Sequence, residues 1–254
     1  QKYLAGAEFQ ITPKGKEPIT LITNDSAQGK TIKVPYAETY TIKEISAPDG
    51  YVKSDVVETI TYQEFLDKSD SEKALTKIFT NDKIEGNLKI MKYDKDDATA
   101  DKKAFVGTTF DIYEGILPTS GSEEEQYELV TDGDTYKLVD SLTIGEDGTA
   151  ITTKLPYGKY IVKETKATAN YQLSKTLIQT EITRDNVTVS VPFANTIHNG
   201  SLRIYKYDDE KKTGLANATF TIHKVGTDEQ IGDVYRTRED GYIGPITLPY
   251  GEYY

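Results

Sequence analysis

The stretch that decides the fold is residues 155–164, LPYGKYIVKE, in which a Pro-Gly turn leads into a strand that ends in a glutamate. Alternate residues of a strand lie on one face, so Glu164 shares a face with Tyr160 and Val162. A carboxylate on an apolar face is costly unless it is paired or neutral. The pattern therefore predicts that Glu164 meets a polar partner inside the protein.

The same pattern occurs at two other places in the chain. Residues 34–44, VPYAETYTIKE, place Glu44 on a face with two apolar residues, and residues 248–254, LPYGEYY, begin a third copy. Other segments recur as well: LAGAEFQI at 4–11, FVGTTFDI at 105–112, LANATFTI at 215–222, GNLKIMKYDKD at 86–96 and GSLRIYKYDDE at 200–210. A repeat of about 110 residues is far longer than a solenoid repeat and indicates whole domains in tandem.

The repeats divide the chain into three units. We predict that unit one spans residues 1–84 and lacks its first strand, that unit two spans 85–198 and is complete, and that unit three spans 199–254 and holds the N-terminal part of a third domain. Because the chain begins and ends inside repeats, we interpret it as part of a longer protein. Short strands between Gly and Pro turns predict an all-β fold of tandem sandwiches. The short junctions between units predict stiff, end-to-end packing.

Two segments depart from the strand pattern. Residues 114–135, EGILPTSGSEEEQYELVTDGDT, are predicted to form a long acidic surface loop or hairpin inserted into unit two. Residues 62–76 of unit one are predicted to contain a short helix, because their apolar residues do not alternate. Residues 77–81 are predicted to form the closing strand of unit one.

The composition excludes several classes of function. The net charge of −11 disfavours nucleic acid and anionic membranes as partners, and the chain has no cysteine for disulfides or thiolate chemistry. No apolar run is long enough to insert into a membrane. Asp94, Asp96 and Asp97 lack the glycine and distal glutamate of an EF-hand loop, so we predict a solvated acidic turn. We expect no metal and no cofactor.

Three polar residues end apolar stripes on different strands of unit two. Lys92 follows Leu88 and Ile90 on one face of the first strand, and Asn195 ends the closing strand, while Glu164 ends the strand described above. The counterparts of these residues are Glu44 and Asn81 in unit one and Lys206 in unit three. Their recurrence at equivalent positions makes them candidate site residues.

Three interpretations of this set follow from the residues. The side chains could end each stripe at a solvated rim, since Lys, Glu and Asn are mostly exposed. They could form a buried Lys–Glu ion pair with Asn as a hydrogen-bond partner. They could also react: in a dry pocket desolvation favours the neutral amine and the neutral acid, so that Lys92 could attack the Asn195 carboxamide. In that case Glu164, bonded to the carboxamide oxygen, would shuttle protons.

The ordered motifs resemble the B-type repeat of the collagen-binding adhesin (Cna B-type domain) and the SpaA-like repeats of Gram-positive pilins. They are K-x-D at 92–94, LAGAEF at 4–9, LPYGKYIVKE at 155–164, APDGY at 47–51, and a closing strand that ends in Asn. The resemblance implies a prealbumin-like (Ig-like) β-sandwich and an internal Lys–Asn isopeptide bond catalysed by Glu. It places that bond between Lys92 and Asn195, with Glu164 as the catalyst. The same resemblance implies that Glu44 and Asn81, and also Lys206, have partners outside this chain.

The resemblance also implies the function. We expect a structural stalk or pilus-shaft segment, extracellular and anchored to the cell wall or a pilus, that cross-links itself once and is not a turnover enzyme. Its partners would be other pilin or adhesin domains, joined by sortase where a shaft is polymerised. The alternative is an adhesin module that binds an extracellular-matrix or cell-surface ligand, for example through residues 114–135. Residues 117–121, LPTSG, lack the context of a sorting signal, which we expect outside this chain.

Overall fold

A computed structural model describes residues 3–25, 31–68, 74–130 and 135–254. Unit one contains β1 (Glu8–Pro13), β2 (Ile19–Ile22), β3 (Thr39–Ser46), β4 (Val57–Thr61) and α1 (Tyr62–Leu66). Unit two contains β5 (Glu85–Asp94), a 3-10 helix (Lys102–Phe105), β6 (Thr109–Glu114), α2 (Glu123–Leu129), β7 (Lys137–Thr143), β8 (Thr149–Ile151), β9 (Leu155–Pro156), β10 (Gly158–Lys166), β11 (Leu177–Ile182) and β12 (Thr188–Asn195). Unit three contains β13 (Asn199–Tyr205), β14 (Thr219–Phe220), β15 (Tyr235–Arg236) and β16 (Tyr242–Pro249). The prediction of an all-β fold is confirmed.

Unit two is a sandwich of two sheets. One sheet has the strand order β11-β10-β6-β7, and the other has the order β12-β5-β8, with β9 also paired to β5. Apolar side chains from both sheets meet in a buried core that consists of Leu88, Ile90, Phe105, Phe110, Ile112, Ile144, Leu155, Tyr160, Val162, Tyr171, Ile182, Val191 and Phe193. Those that lie on strands, such as Leu88 and Ile90 of β5, follow the alternation of the strand, so the sequence pattern itself directs them inward.

The first and last strands of unit two are neighbours. β12 pairs with β5 in parallel, and the register places Phe193 opposite Lys92 and Asn195 opposite Asp94. Because the two strands run in the same direction, Lys92 and Asn195 lie at the same end of the sandwich, close to the C-terminal end of each strand.

Strand β10 is buried on both faces. Ile161 and Lys163, on the face opposite Glu164, are 0% and 1% exposed. This second face packs in a smaller apolar cluster made of Tyr113, Leu117, Val130, Tyr136 and Ile161. Leu117 and Val130 belong to residues 114–135, which therefore cover part of the outside of the sheet.

The prediction of an acidic surface loop or hairpin for residues 114–135 is wrong, because this segment contains helix α2. The Ser122 hydroxyl accepts a hydrogen bond from the Glu125 N–H at the start of the helix, and the Glu125 carboxylate accepts one from the Ser122 N–H. This capping box satisfies backbone donors that a helix start leaves free. Tyr127 then turns inward, where it is only 6% exposed. Residues 131–134 lie outside the described part.

In unit one, α1 confirms the predicted short helix, although residues 69–73 of the predicted range lie outside the described residues. The sheet has the order β2-β1-β3-β4. The prediction of a closing strand at residues 77–81 is wrong, because this segment has no ladder partner. In unit two, by contrast, the closing strand pairs with the first strand.

At the junction between units one and two, one residue bonds to a turn on each side. The Ile84 N–H donates to the Gly50 carbonyl oxygen at 2.9 Å, and the Ile84 carbonyl accepts from the Tyr157 N–H at 2.9 Å. The Tyr157 side chain also lies against Gly50, so a Cβ added there would meet the ring at 3.5 Å. The Pro-Tyr turn of unit two is therefore held against the turn that follows β3 in unit one.

The junction between units two and three repeats this arrangement. The His198 N–H donates to the Asn170 carbonyl oxygen at 2.8 Å, and the His198 carbonyl accepts from the Tyr250 N–H at 2.6 Å. Asn170 lies in the turn of unit two that corresponds to the turn of Gly50, and Tyr250 corresponds to Tyr157. Backbone hydrogen bonds of this kind favour stiff junctions over loose linkers.

Candidate cross-linking site

The structure brings Lys92, Glu164 and Asn195 together in the core of unit two. They are 4%, 0% and 2% exposed. Lys92 Nζ lies 3.1 Å from Glu164 Oε1, and it donates a short hydrogen bond to Asn195 Oδ1. The Asn195 Nδ2 group lies 3.0 Å from each oxygen of Glu164. The interpretation that these residues end their stripes at a solvated rim is wrong.

The three side chains meet because they come from both sheets of the sandwich. Lys92 and Asn195 belong to the parallel neighbours β5 and β12, and Glu164 belongs to β10 of the facing sheet. The neighbours of Lys92 on the outer face, Met91 and Tyr93, are 38% and 45% exposed. Strand alternation therefore points the Lys92 side chain into the core, at the level where the facing sheet carries Glu164.

Glu164 is held as a hydrogen-bond acceptor. Its Oε2 accepts from the Ser174 N–H at 2.7 Å, and its Oε1 accepts from Lys92. The Asn195 carboxamide consequently turns its nitrogen toward the acid, and this Nδ2 also donates to the Gln172 carbonyl oxygen at 2.9 Å. The prediction that Glu164 bonds the carboxamide oxygen is therefore wrong, because a carboxylate that accepts from its other neighbours takes the donating end of the amide.

The surroundings of Lys92 favour its neutral form. Its Nζ lies 4.9 Å from the centre of the Phe193 ring and 5.9 Å from that of Phe110. Desolvation by these apolar neighbours lowers the pKa of Lys92 to about 8, although the nearby Glu164 carboxylate opposes the shift. A lysine with such a pKa supplies a neutral amine, which is a nucleophile, far more readily than an exposed lysine does.

Asp94 and Tyr171 brace the end of β5 next to the site. Asp94 Oδ1 accepts from the Asp96 and Asp97 N–H groups at 2.7 and 3.0 Å, and Asp94 Oδ2 accepts from the Tyr171 hydroxyl at 2.9 Å. The prediction of a solvated acidic turn is wrong for Asp94, which is 5% exposed. The sequence shows a tyrosine, Tyr171, in the turn after β10, but it does not show that Tyr171 donates a hydrogen bond to Asp94.

Within the described residues, unit one contains the same arrangement without a lysine. Glu44, which is 2% exposed, accepts from the Ser54 N–H at 2.5 Å and from Asn81 Nδ2 at 2.6 Å. Asn81 Nδ2 also donates to the Val52 carbonyl oxygen at 2.9 Å. Within the described residues, Glu44 Oε1 is buried and has no hydrogen-bond partner. In unit two, the equivalent oxygen accepts from Lys92.

Among the described residues, the second predicted lysine, Lys206, is not part of such a cluster. Lys206 of unit three is exposed. Its N–H donates to the Gly241 carbonyl at 2.9 Å, which fixes the backbone beside β16.

In the ranges 3–25, 31–68, 74–130 and 135–254, no group of three or more His, Asp or Glu side chains is placed to hold a metal ion. In the same ranges, no helix is both long and apolar enough to cross a lipid bilayer.

Comparison with known proteins identifies a family. The SpaA family, described as a prealbumin-like fold domain, matches residues 1–72, 86–197 and 200–254 of the chain. The search of curated proteins found no match.

Among solved structures, the chain is similar to the Bacillus anthracis TIE protein, with 26% sequence identity and a TM-score of 0.61 over 98% of this chain and 41% of that one. It also matches the major pilin SpaD from Corynebacterium diphtheriae, with 25% identity and a TM-score of 0.32 over 45% of this chain and 32% of that one. The shaft pilin spaA from Lactobacillus rhamnosus GG matches with 17% identity and a TM-score of 0.31 over 63% and 80% of the two chains. The chain spans less than half the length of each of the first two proteins.

Proposed function

Because the chain belongs to the SpaA family of prealbumin-like fold domains, we propose that it is a load-bearing stalk or pilus-shaft segment of a Gram-positive surface protein. Its location would be extracellular, on the cell wall or in a pilus, and its partners would be further pilin or adhesin domains, joined by sortase where a shaft is polymerised. The observation that carries the proposal is the dry cluster of Lys92, Glu164 and Asn195 between the first and last strands.

The proposed reaction joins Lys92 to Asn195 through an isopeptide bond. The Lys92 ammonium first passes a proton to Glu164 Oε1, 3.1 Å away, which leaves a neutral amine and a neutral acid. The amine lone pair attacks Asn195 Cγ, and the electron pair of the C=O bond moves to Oδ1. Contact between the groups in the folded protein supplies the entropic part of the barrier.

The second half of the reaction releases ammonia. Glu164 gives its proton to Asn195 Nδ2, from which its oxygens are 3.0 Å away. The Cγ–Nδ2 bond then breaks, ammonia leaves, and the new amide returns a proton from Nζ to Glu164. The acid is regenerated, whereas the lysine and asparagine are consumed, so the chemistry is a single self-cross-linking event without turnover.

The boundaries proposed for the three units agree with this function. The family matches residues 1–72, 86–197 and 200–254, which supports units of 1–84, 85–198 and 199–254. The backbone hydrogen bonds of Ile84 and His198 would transmit force from one unit to the next. For unit one, the partnerless Glu44 Oε1 supports an equivalent bond at Asn81 with a lysine outside this chain.

The rate of ammonia loss as a function of pH tests the proposed chemistry. Lys92 and Glu164 together must hold one proton, because the reaction requires a neutral Lys92 amine and a protonated Glu164 at the same time. Since the pKa of Lys92 is about 8, the pair loses that proton above this pH. We expect the rate constant to be nearly level from about pH 6 to 7.5 and to fall about tenfold per unit well above pH 8.

Freshly synthesised chain, quenched at intervals at each pH and weighed intact, gives this rate. Lys159→Met removes an exposed lysine of β10, the strand that carries Glu164, and serves as the control, which should lose ammonia as the wild type does. A wild-type chain that keeps its full sequence mass at every pH would refute the cross-link. A rate that rises tenfold per unit up to pH 8 would refute the acid role of Glu164.

A second candidate function, an adhesin module, rests on the acidic first turn of α2, which contains Glu123, Glu124 and Glu125. Deleting the insert cannot test it, because the deletion would also remove the buried Tyr127. The charge reversal Glu123→Lys leaves the buried face intact. If the full chain binds extracellular-matrix proteins and Glu123→Lys abolishes that binding, the adhesin function is favoured. If neither the wild type nor the variant binds, the stalk function is favoured.

A further inference from the structure

Helix α2 touches the residue that carries the proposed catalytic acid from the opposite side of the sheet. The Tyr127 hydroxyl donates a hydrogen bond to the main-chain carbonyl of Glu164 at 2.6 Å. The Tyr127 carbonyl accepts one from Lys163 Nζ at 2.8 Å. One residue of the insert is therefore anchored to two consecutive residues of β10, and all three are buried.

The Glu164 carbonyl lies where the ladder of β10 is irregular. The register against β6 pairs Glu164 with Phe110 and then Lys166 with Thr109, so Thr165 is an extra residue. A bulge of this kind disrupts the ladder and can re-aim a side chain beside an active site. The Tyr127 hydroxyl donates a hydrogen bond to the main chain of Glu164, whose side chain must point toward Lys92 and Asn195.

The ring of Tyr127 is held between two lysines. Lys163 Nζ lies 3.8 Å from the ring centre and Lys175 Nζ lies 4.2 Å from it. Cation–π contacts of this kind are attractive, and more so where the groups are shielded from water. Tyr127 consequently has little freedom to leave the Glu164 carbonyl.

The helix also reaches the loop that holds the Glu164 carboxylate. Lys175 Nζ lies 3.3 Å from Glu124 and 3.6 Å from Glu128 of α2. The residue before Lys175 is Ser174, whose N–H donates to Glu164 Oε2 at 2.7 Å. Helix α2 thus connects the main chain of Glu164 with the donor that orients its side chain.

Unit one shows the same strand without the insert. The register of β3 against β1 also shifts after its glutamate, pairing Glu44 with Phe9 and Ser46 with Glu8. Lys43, the counterpart of Lys163, is exposed there. The bulge is therefore common to both units, whereas the contact through Tyr127 belongs to unit two.

We propose that Tyr127 is a positioning residue for the cross-linking reaction, through which the insert helix fixes the direction in which Glu164 points. The inference rests on the proposed function, since it concerns the rate of that reaction. Tyr127 touches no reacting atom. Without its hydroxyl the strand bulge is free to relax, Glu164 samples orientations away from Lys92 and Asn195, and fewer encounters are productive.

The test compares Tyr127→Phe with Tyr136→Phe in the full chain. Both changes remove one hydroxyl from a buried tyrosine, Tyr127 within the insert and Tyr136 directly after it, but the Tyr136 hydroxyl donates to the Ile116 carbonyl at 3.2 Å and not to β10. Chain made by cell-free synthesis is quenched at intervals, and intact mass gives the fraction that has lost ammonia. Circular dichroism confirms that all molecules are folded, so the first-order rate constant is measured per folded molecule.

We expect Tyr127→Phe to lower this rate constant about 3- to 10-fold, the effect of one hydrogen bond, while the reaction still goes to completion. Tyr136→Phe should react at the wild-type rate. Equal rates in all three proteins, or equal slowing in both variants, would overturn the positioning role while leaving the cross-link in place. A wild-type chain that never loses ammonia would instead overturn the proposed function.

Discussion

Pulled by its two ends, the chain should show no unfolding step from the residues between Lys92 and Asn195. A covalent bond would join these two residues, which are 103 positions apart in the sequence, so that the pulling force passes through the bond. The parallel pairing of β5 and β12 matters here, because tension on the two strand ends shears that ladder. Without the bond, the ladder and the core alone would carry the load.

Glu164→Gln should restore the missing step. The freed segment would add about 340–370 Å at full extension, at roughly 3.3–3.6 Å per residue. Single-molecule force spectroscopy measures this increment directly. Lys159→Met again serves as the control and should remain as inextensible as the wild type. A wild-type chain that shows the same step as Glu164→Gln would contradict the load-bearing role.

The second large effect concerns thermal stability. By analogy with a disulfide, closing a loop of 103 residues constrains the unfolded chain by about 4–5 kcal/mol. For a domain of this size, that corresponds to a fall in Tm on the order of 15–20 °C when the bond is absent. We expect this fall in the double variant Lys92→Met/Glu164→Gln, measured by calorimetry on the full chain.

The double variant separates the cross-link from a buried ion pair. It removes both charges together, so it leaves no unpaired charge in the core. Replacing a buried ion pair with groups of similar volume is often neutral or stabilising. A double variant within about 1 kcal/mol of the wild type would therefore support the ion pair and contradict the bond.

Strand alternation was sufficient to predict the centre of the site. Lys92, Glu164 and Asn195 could be placed on inward faces because each ends an apolar stripe. Which atoms meet could not be predicted, since the orientation of the Asn195 amide depends on the Ser174 N–H and the Gln172 carbonyl. Backbone groups leave no mark in a sequence, so their contribution appears only in the fold.

The insert was misjudged for a different reason. Alternation along β10 predicts that one face of the strand is buried. Ile161 and Lys163 lie on the other face, where residues 114–135, a segment outside the repeated strand motifs, help to bury them. The helix itself had a local signal, the capping box formed by Ser122 and Glu125. The acidic composition around it concealed that signal, and the inward contact of Tyr127 depends on tertiary packing.

The most direct measurement is a tryptic digest of the wild-type chain analysed by tandem mass spectrometry. If Lys92 is joined to Asn195, trypsin cannot cleave after Lys92, and residues 90–95 should appear linked to residues 185–203 in one branched peptide that lacks one ammonia. Glu164→Gln should give the unlinked peptides. Recovery of residues 90–92 and of a linear 185–203 at full mass from the wild type would contradict the account.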